Sequence, residues 1–236
     1  LSFVEINKLW PDFSLDVYAQ PRVNEYLDTV ERLPEVRLTA FRQRLWSSPL
    51  FYESESSAGW YRRLFSDTNS VFMPSYSGFR GDTLHQLTLP FTLFGWLNVT
   101  PRASGRFTYY GDSTATHTAG DISRGVFNTG VEFTFKASRL WPEARSRLLA
   151  VDGLRHIVEP SVHYVFTPAP NRRPWELPQY DFESISLRQL PIEFPGYNSI
   201  DAIDGENTLR LGVRNRLQTK RAGQLDDLLS WSLYGD

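Results

Sequence analysis

Cysteine is absent from the 236 residues, and methionine occurs once. Disulfides and thiolate metal sites are thereby excluded for this stretch. Long apolar runs are missing too: mean hydropathy is -0.37, and the richest segment, Leu87 to Val99, is interrupted by Thr88, Pro90, Thr92 and Asn98. A membrane helix needs roughly 18 or more consecutive apolar residues, so transmembrane helices are excluded. Barrel strands are not, because each needs only one apolar face. With four histidines and no G-x-S-x-G, nucleophilic catalysis has no apparatus, and neither a catalytic residue nor a cofactor is expected. The net charge is -2 and the 25 basic residues are scattered, which gives no footprint for nucleic acid. Leu1 opens without Met, a basic n-region or an apolar h-region, so no signal peptide is visible. The last residues, L-L-S-W-S-L-Y-G-D, stop inside a strand pattern. The expectation is a segment of a longer protein, cut at both ends.

What is present is alternation. From Trp96 to Tyr110 the two parities separate completely. Leu97, Val99, Pro101, Ala103, Gly105, Phe107 and Tyr109 form one set; Asn98, Thr100, Arg102, Ser104, Arg106 and Thr108 form the other. A period of two is the side-chain alternation of a strand. At about 3.3 Å per residue and a tilt near 40°, Trp96 to Tyr109 projects to roughly 33 Å, close to a bilayer core with its interfaces. Aromatics make up 14% of the chain, with seven Trp and eleven Tyr, which suits interfacial girdles.

Further strands are read at Phe13 to Gln20, Val36 to Gln43, Phe51 to Phe65, Phe79 to Leu89, Phe127 to Ser138, Leu154 to Phe166, Leu209 to Lys220 and Leu229 to Leu233. The pattern is therefore all-β: a partial antiparallel transmembrane β-barrel of outer-membrane type, about nine strands of a larger barrel, with residues 1–236 a segment of one domain. Pro142-Glu143-Ala144-Arg145, within Leu140 to Gly153, reads as a short helix with Pro at its start. Asp67 to Gly78, Gly111 to Ser123 and Pro168 to Gly205 are long connections, and Pro90 to Gly95 and Ala222 to Asp226 are short turns. Long loops on one side and short turns on the other are the habit of outer-membrane meanders. The Leu140 to Gly153 connection is too long for that rule. Residues 168–205 hold six of the fifteen prolines and are expected to be a long extracellular loop.

His156, Glu159 and His163 invite a metal reading, which strand geometry rejects. His156 and Glu159 have opposite parity, and Glu159 lies about 13 Å along the strand from His163. Pro101 and Pro160 interrupt strands and each deletes a ladder hydrogen bond. If the apolar faces meet lipid, Arg102, Arg106, Glu159, His163, Arg210, Arg214 and Arg216 form a polar track toward the lumen. Guanidinium rows match phosphates and carboxylates of a passing anionic glycolipid, but internal pairing with luminal Asp and Glu is the simpler reading.

Several stretches together resemble a known family. They are Glu31-Arg32-Leu33-Pro34-Glu35-Val36, then G-L-R-H-I-V-E-P-S-V-H-Y-V-F-T-P from Gly153 to Pro168, the following Pro178-Gln179-Tyr180-Asp181, and N-S-I-D-A-I-D-G-E-N-T-L-R-L-G-V-R-N-R-L from Asn198 to Leu217. They are similar to elements of LptD, the lipopolysaccharide-assembly outer-membrane protein. The resemblance implies an integral outer-membrane protein that delivers lipopolysaccharide to the outer leaflet among the outer-membrane lipids. It implies a plug lipoprotein like LptE and a periplasmic bridge that docks on an N-terminal domain outside this stretch. No enzyme activity is implied. The rival readings are a porin-like solute channel, which shares every strand-level feature, and a soluble β-rich binding module, against which the strand lengths argue.

Overall fold

The computed structural model describes residues 2–66, 74–111, 113, 120–148, 150–181, 200–221 and 224–236. Parts of the connections at Asp67–Gly78, Gly111–Ser123, Pro168–Gly205 and Ala222–Asp226 therefore lie outside the described residues.

Among the described residues the strands are β1 (Val4–Leu9), β2 (Phe13–Gln20), β3 (Thr29–Arg44), β4 (Phe51–Leu64), β5 (Tyr76–Thr88), β6 (Phe91–Leu93), β7 (Leu97–Tyr110), β8 (Ile122–Thr134), β9 (Ala137–Ser146), β10 (Val151–Thr167), β11 (Glu206–Arg221) and β12 (Gln224–Gly235). A single 3-10 turn, Pro174–Glu176, is the sole helical element among them. The sheet runs in the order β1-β2-β3-β4-β5-β7-β8-β10-β11-β12, with β6 beside β7 and β9 beside β10. Among the described residues no pairing joins β1 to β12, which stand at the two ends of this order. All nine strands expected from the alternation are found, and β1, β6 and β9 are additional.

One expectation is corrected. Residues 142–145 form no helix: Pro142 lies in β9, which pairs with β10 from Ala137↔Val158 to Ser146↔Val151. Pairing with β10 overrides the local helix signal, and among the described residues the only strand paired with β9 is β10, so a missing N–H is tolerated there. The connection to β10 thus shortens to residues 147–150, and the alternation of long loops with short turns holds at this point as well. The short turn into β7 is also displaced, since β6 continues the strand and the chain reverses at residues 94–96, where Phe94 and Gly95 take positive φ.

The two interrupting prolines share a setting. Pro101 falls between Arg102, which faces Thr88 of β5, and Val99, which faces Phe91 of β6. Pro160 accepts through its carbonyl from the Phe135 N–H at the junction of β8 and β9. Each proline therefore sits where the facing strand is already broken, and the missing donor leaves no ladder partner stranded.

Burial is inverted relative to a water-soluble domain. On β5, β7 and β8 the polar set is covered: Asp82 is 7% exposed, and Thr108 and Arg124 are 0% exposed. The apolar set is open, with Phe107 at 51% and Phe127 at 52%. Large exposed apolar faces on a protein of this size mark contact with another apolar phase. A tight backbone approach fixes β4 against β3: a Cβ on Gly59 would stand 2.9 Å from the Pro34 carbonyl oxygen and 3.0 Å from Glu35 Cα, so only glycine fits there.

By compactness the chain falls into two units. One comprises Leu1–Leu89, Arg102–Thr129 and Phe166–Glu206; the other comprises Pro90–Pro101, Gly130–Val165 and Asn207–Asp236.

Candidate functional site: a charged face and a clamped loop

In the first unit, strand alternation sends Arg80 and Asp82 of β5, Arg106, Thr108 and Tyr110 of β7, and Arg124 of β8 to the polar face. Two pieces of the long β10–β11 connection, residues 168–181 and 200–205, are fastened there. Arg80 is the centre of the fastening. Its Nη1 lies 2.9 Å from Asp181 Oδ1 and 2.9 Å from both carboxylate oxygens of Asp201. Asp201 Oδ1 also accepts from the Tyr110 hydroxyl at 2.5 Å, and its Oδ2 accepts the backbone N–H groups of Tyr180 at 2.6 Å and Asp181 at 3.1 Å. Asp181 answers by accepting the Asp201 N–H at 2.9 Å. The two loop pieces therefore hold each other as well as the sheet.

Arg124 supplies the second cation. Its guanidinium donates to the backbone carbonyls of Ile200, Asp201 and Ile203. Two guanidinium groups thus stand with two carboxylates, so the buried cluster carries balanced charge. Aromatic rings pack around it. Tyr180 stacks on Tyr61 at 5.4 Å between centroids, and the Arg80 guanidinium lies 4.5 Å from the Tyr61 ring centre. Tyr76 donates to the Gln179 carbonyl at 3.0 Å, which Arg63 also reaches at 2.9 Å. Val30, Tyr61, Tyr110, Leu177 and Tyr180 form the apolar cluster beneath. Burial pushes the Tyr180 phenol up to about 12. At the loop base Asp204 pairs with Arg173, and Glu176 accepts the Arg173 N–H at 2.7 Å. Backbone donors, from Gly205 and Arg173 respectively, hold both carboxyls below their ordinary range.

The arginine track read from the sequence is divided between the units. In the first, Arg106 Nε is 3.4 Å from Asp82 Oδ2, and Asp82 accepts from Thr108 at 2.7 Å. Arg102 is half-buried on the same strand, with its carbonyl accepting from Thr129 at 3.2 Å. In the second unit Arg216 reaches Glu159 at 3.0 Å, and Lys136 reaches the same oxygen at 3.7 Å. His163 faces Glu132 at 3.8 Å, and Arg210 forks onto Asp236. Arg214 is exposed and has no carboxylate partner among the described residues. His156 is not on this face: it hydrogen-bonds Asn215 at 3.1 Å and stacks on Trp231.

Arg80, Arg124, Asp181 and Asp201 are the functional candidates that the parity reading passed over. Their signal was present. Arg80 and Arg124 share the polar parity of their strands, and Asp181 and Asp201 fall in two of the stretches that carry the family resemblance. What one sequence could not show is that those stretches meet.

A family model described as LptD, LPS transport system D, matches residues 6–236. No curated protein matches the chain.

Proposed function

The chain belongs to the LptD family, whose role is transport of lipopolysaccharide and its assembly at the outer membrane, and from that premise we propose that this protein delivers lipopolysaccharide to the outer leaflet without chemistry of its own. The observation that carries the proposal is the inverted burial: a covered, arginine-bearing polar face on strands whose other face exposes Phe107, Phe127, Trp60 and Leu38. In this reading the polar face lines a lumen that shelters the saccharide, while the acyl chains stay with lipid and leave through an opened seam. Residues 168–205 lie on the extracellular side, and the Arg80 cluster holds the two described ends of that loop, residues 168–181 and 200–205, to the sheet. The solvated charges, Arg214 first among them, are then the groups free to meet phosphates, whereas Arg106, Arg210 and Arg216 are occupied by carboxylates. An LptE-like lipoprotein plugs the lumen, and a periplasmic bridge feeds it through an N-terminal domain.

The test is depletion of the full-length protein in its native host, with surface lipopolysaccharide scored beside the assembly of an unrelated barrel. Surface lipopolysaccharide falls while the other barrel still assembles. If it persists and small-solute uptake falls instead, the protein is a channel and the proposal fails.

A further inference from the structure

The polar face of the first unit is covered unevenly. Register carries one row of residues across it, from Tyr110 through Arg80, Gly59, Glu35 and Tyr18 to Glu5, and directly opposed residues share a face. At the β5 end the loop lies over the row, and Arg80 is 3% exposed. On β1, β2 and β3 the row is open, with Glu5 exposed and Tyr18 and Arg32 half-buried. A pocket of about 390 Å³ lies there, lined by Glu5, Asp16, Tyr18, Arg32, Glu35 and Arg37. That volume suits a small polar ligand.

Glu35 is the fixed point of the pocket. It is 2% exposed and takes one guanidinium on each carboxylate oxygen: Arg32 Nη1 lies 3.0 Å from Oε2, and Arg37 Nη2 lies 3.0 Å from Oε1. The Arg32 guanidinium also lies over the Tyr18 ring, 5.5 Å from its centre. One buried carboxylate therefore orients two cations. Each arginine spends a single nitrogen on it, and the one further carboxylate that pairs with either, among the described residues, is Glu55, 3.7 Å from Arg37 Nε. The rest of both forks is free to bind.

The opposite wall is acidic, and it does not close onto the arginines. Asp16 stands directly across from Arg37 in the β2–β3 register, yet its carboxylate is held by Ser14 at 3.3 Å and by Asn7. Cross-strand neighbours of opposite charge attract. Here they face each other over the pocket instead, and the two walls select the ligand. A metal ion would meet two guanidinium groups, and a plain anion would meet two carboxylates. A phosphate satisfies the first wall, since the planar forks of Arg32 and Arg37 match its oxygens in pairs. The second wall then needs donors, which sugar hydroxyls supply to Glu5 and Asp16.

We propose that this pocket binds a phosphorylated sugar, with its phosphate on Arg32 and Arg37 and its hydroxyls on Glu5 and Asp16, and that lipopolysaccharide in transit supplies it. The source rests on the export reading above; the chemistry of the pocket does not. That reading puts the row at the extracellular end of the lumen, with Glu35 two strands, or about 10 Å, from Arg80 and the fastened loop. The phosphorylated sugars of lipopolysaccharide pass this point on leaving the lumen.

The test uses the full-length protein purified with its native partners in detergent, with the photoreactive residue benzoylphenylalanine in place of Tyr18. The reference carries it in place of Thr39, which faces Ser14 and Glu55 on the same polar face. Irradiated with purified lipopolysaccharide, the Tyr18 position gives several times the adduct of the Thr39 position. Phosphatase treatment of the lipopolysaccharide lowers the Tyr18 yield about tenfold, and glucose 6-phosphate competes where glucose does not. Arg37→Lys keeps a cation beside Glu35 but removes the fork, and lowers the yield about fivefold. Equal yields at the two positions, indifference to phosphatase treatment, or an unchanged yield in Arg37→Lys each overturn the proposal, the last because lysine serves a merely structural ion pair as well. Surface lipopolysaccharide after depletion of the protein is scored in the native host. If it still depends on the protein while the Tyr18 adducts ignore phosphate, only the pocket is lost. If it is independent of the protein while the adducts remain phosphate-sensitive, the export reading is lost, and with it lipopolysaccharide as the source of the sugar.

Discussion

Arginine serves two ends in this molecule, and one cluster from each compact unit shows the contrast. In the first, Arg80 and Arg124 are withdrawn from solvent and bind a loop to the sheet. In the second, Arg216 and Glu159 pair across strands while each keeps about a quarter of its side-chain surface open, 22% and 26%. The residue type is the same, and for Arg80 and Arg216 so is the class of partner, a carboxylate. What differs is desolvation. A buried guanidinium between two carboxylates cannot lose a partner without leaving charge stranded, whereas a wet pair can exchange its partner for water. The first arrangement fixes geometry, and the second leaves a charged surface that can rearrange.

The contrast breaks most readily at Arg80. Arg80→Ala leaves Asp181 and Asp201 buried without their cation, and a loss of about 3–5 kcal/mol is expected, read as a lower urea midpoint of the full-length barrel and as new protease cleavage within residues 168–205. Tyr110→Phe removes one hydroxyl from Asp201 and nothing else, so about 1–2 kcal/mol is expected, seen in the same urea titration without cleavage. Glu159→Gln in the second unit should cost at most about 1 kcal/mol, with the difference from wild type shrinking in high salt. A Glu159→Gln loss as large as that of Arg80→Ala would erase the distinction between the buried cluster and the wet pair.

Acidification gives the smallest effect and sharpens the picture at the loop base. Glu176 and Asp204 titrate below their ordinary values of 4.5 and 3.8. Their contribution is therefore fully present above that range and is lost as the pH falls through their lowered values. Hydrogen exchange of the Arg173 and Gly205 amides should be unchanged in protection from pH 7 to the ordinary carboxylate range and should lose protection below it. At the other extreme, the Tyr180 phenol, raised to about 12, makes the clamp progressively less stable as the pH rises above 10 toward that value, because only the unclamped phenol ionises readily.

Strand positions were legible because one face meets an apolar phase and the other a polar one, which forces residues such as Arg106 and Phe107 onto opposite sides. β9 was not legible, since Pro142-Glu143-Ala144-Arg145 is locally a good helix start and only pairing with β10 decides otherwise. β1 was missed because V-E-I-N-K-L is short and lies at the edge of the sheet. The polar track was visible as parity, and its division into paired and exposed members was not, because parity says nothing of which carboxylate lies opposite. Arg80 and Asp201 stand 121 positions apart. No spacing rule joins residues at that distance, although each lay in plain view on its own stretch.

That separation also sets an order of events. Closing a free loop of 121 residues costs about 4 kcal/mol of chain entropy on the logarithmic estimate, but once β5, β7, β8 and β10 are laid side by side, only the connection after Thr167 remains to be folded back. The Arg80 bonds therefore form after the strands they rest on. Contacts made that late do little to the rate of folding and act almost wholly on the rate of unfolding. The clamp is a brake on disassembly: it sets how long the finished wall lasts, not how quickly it is built.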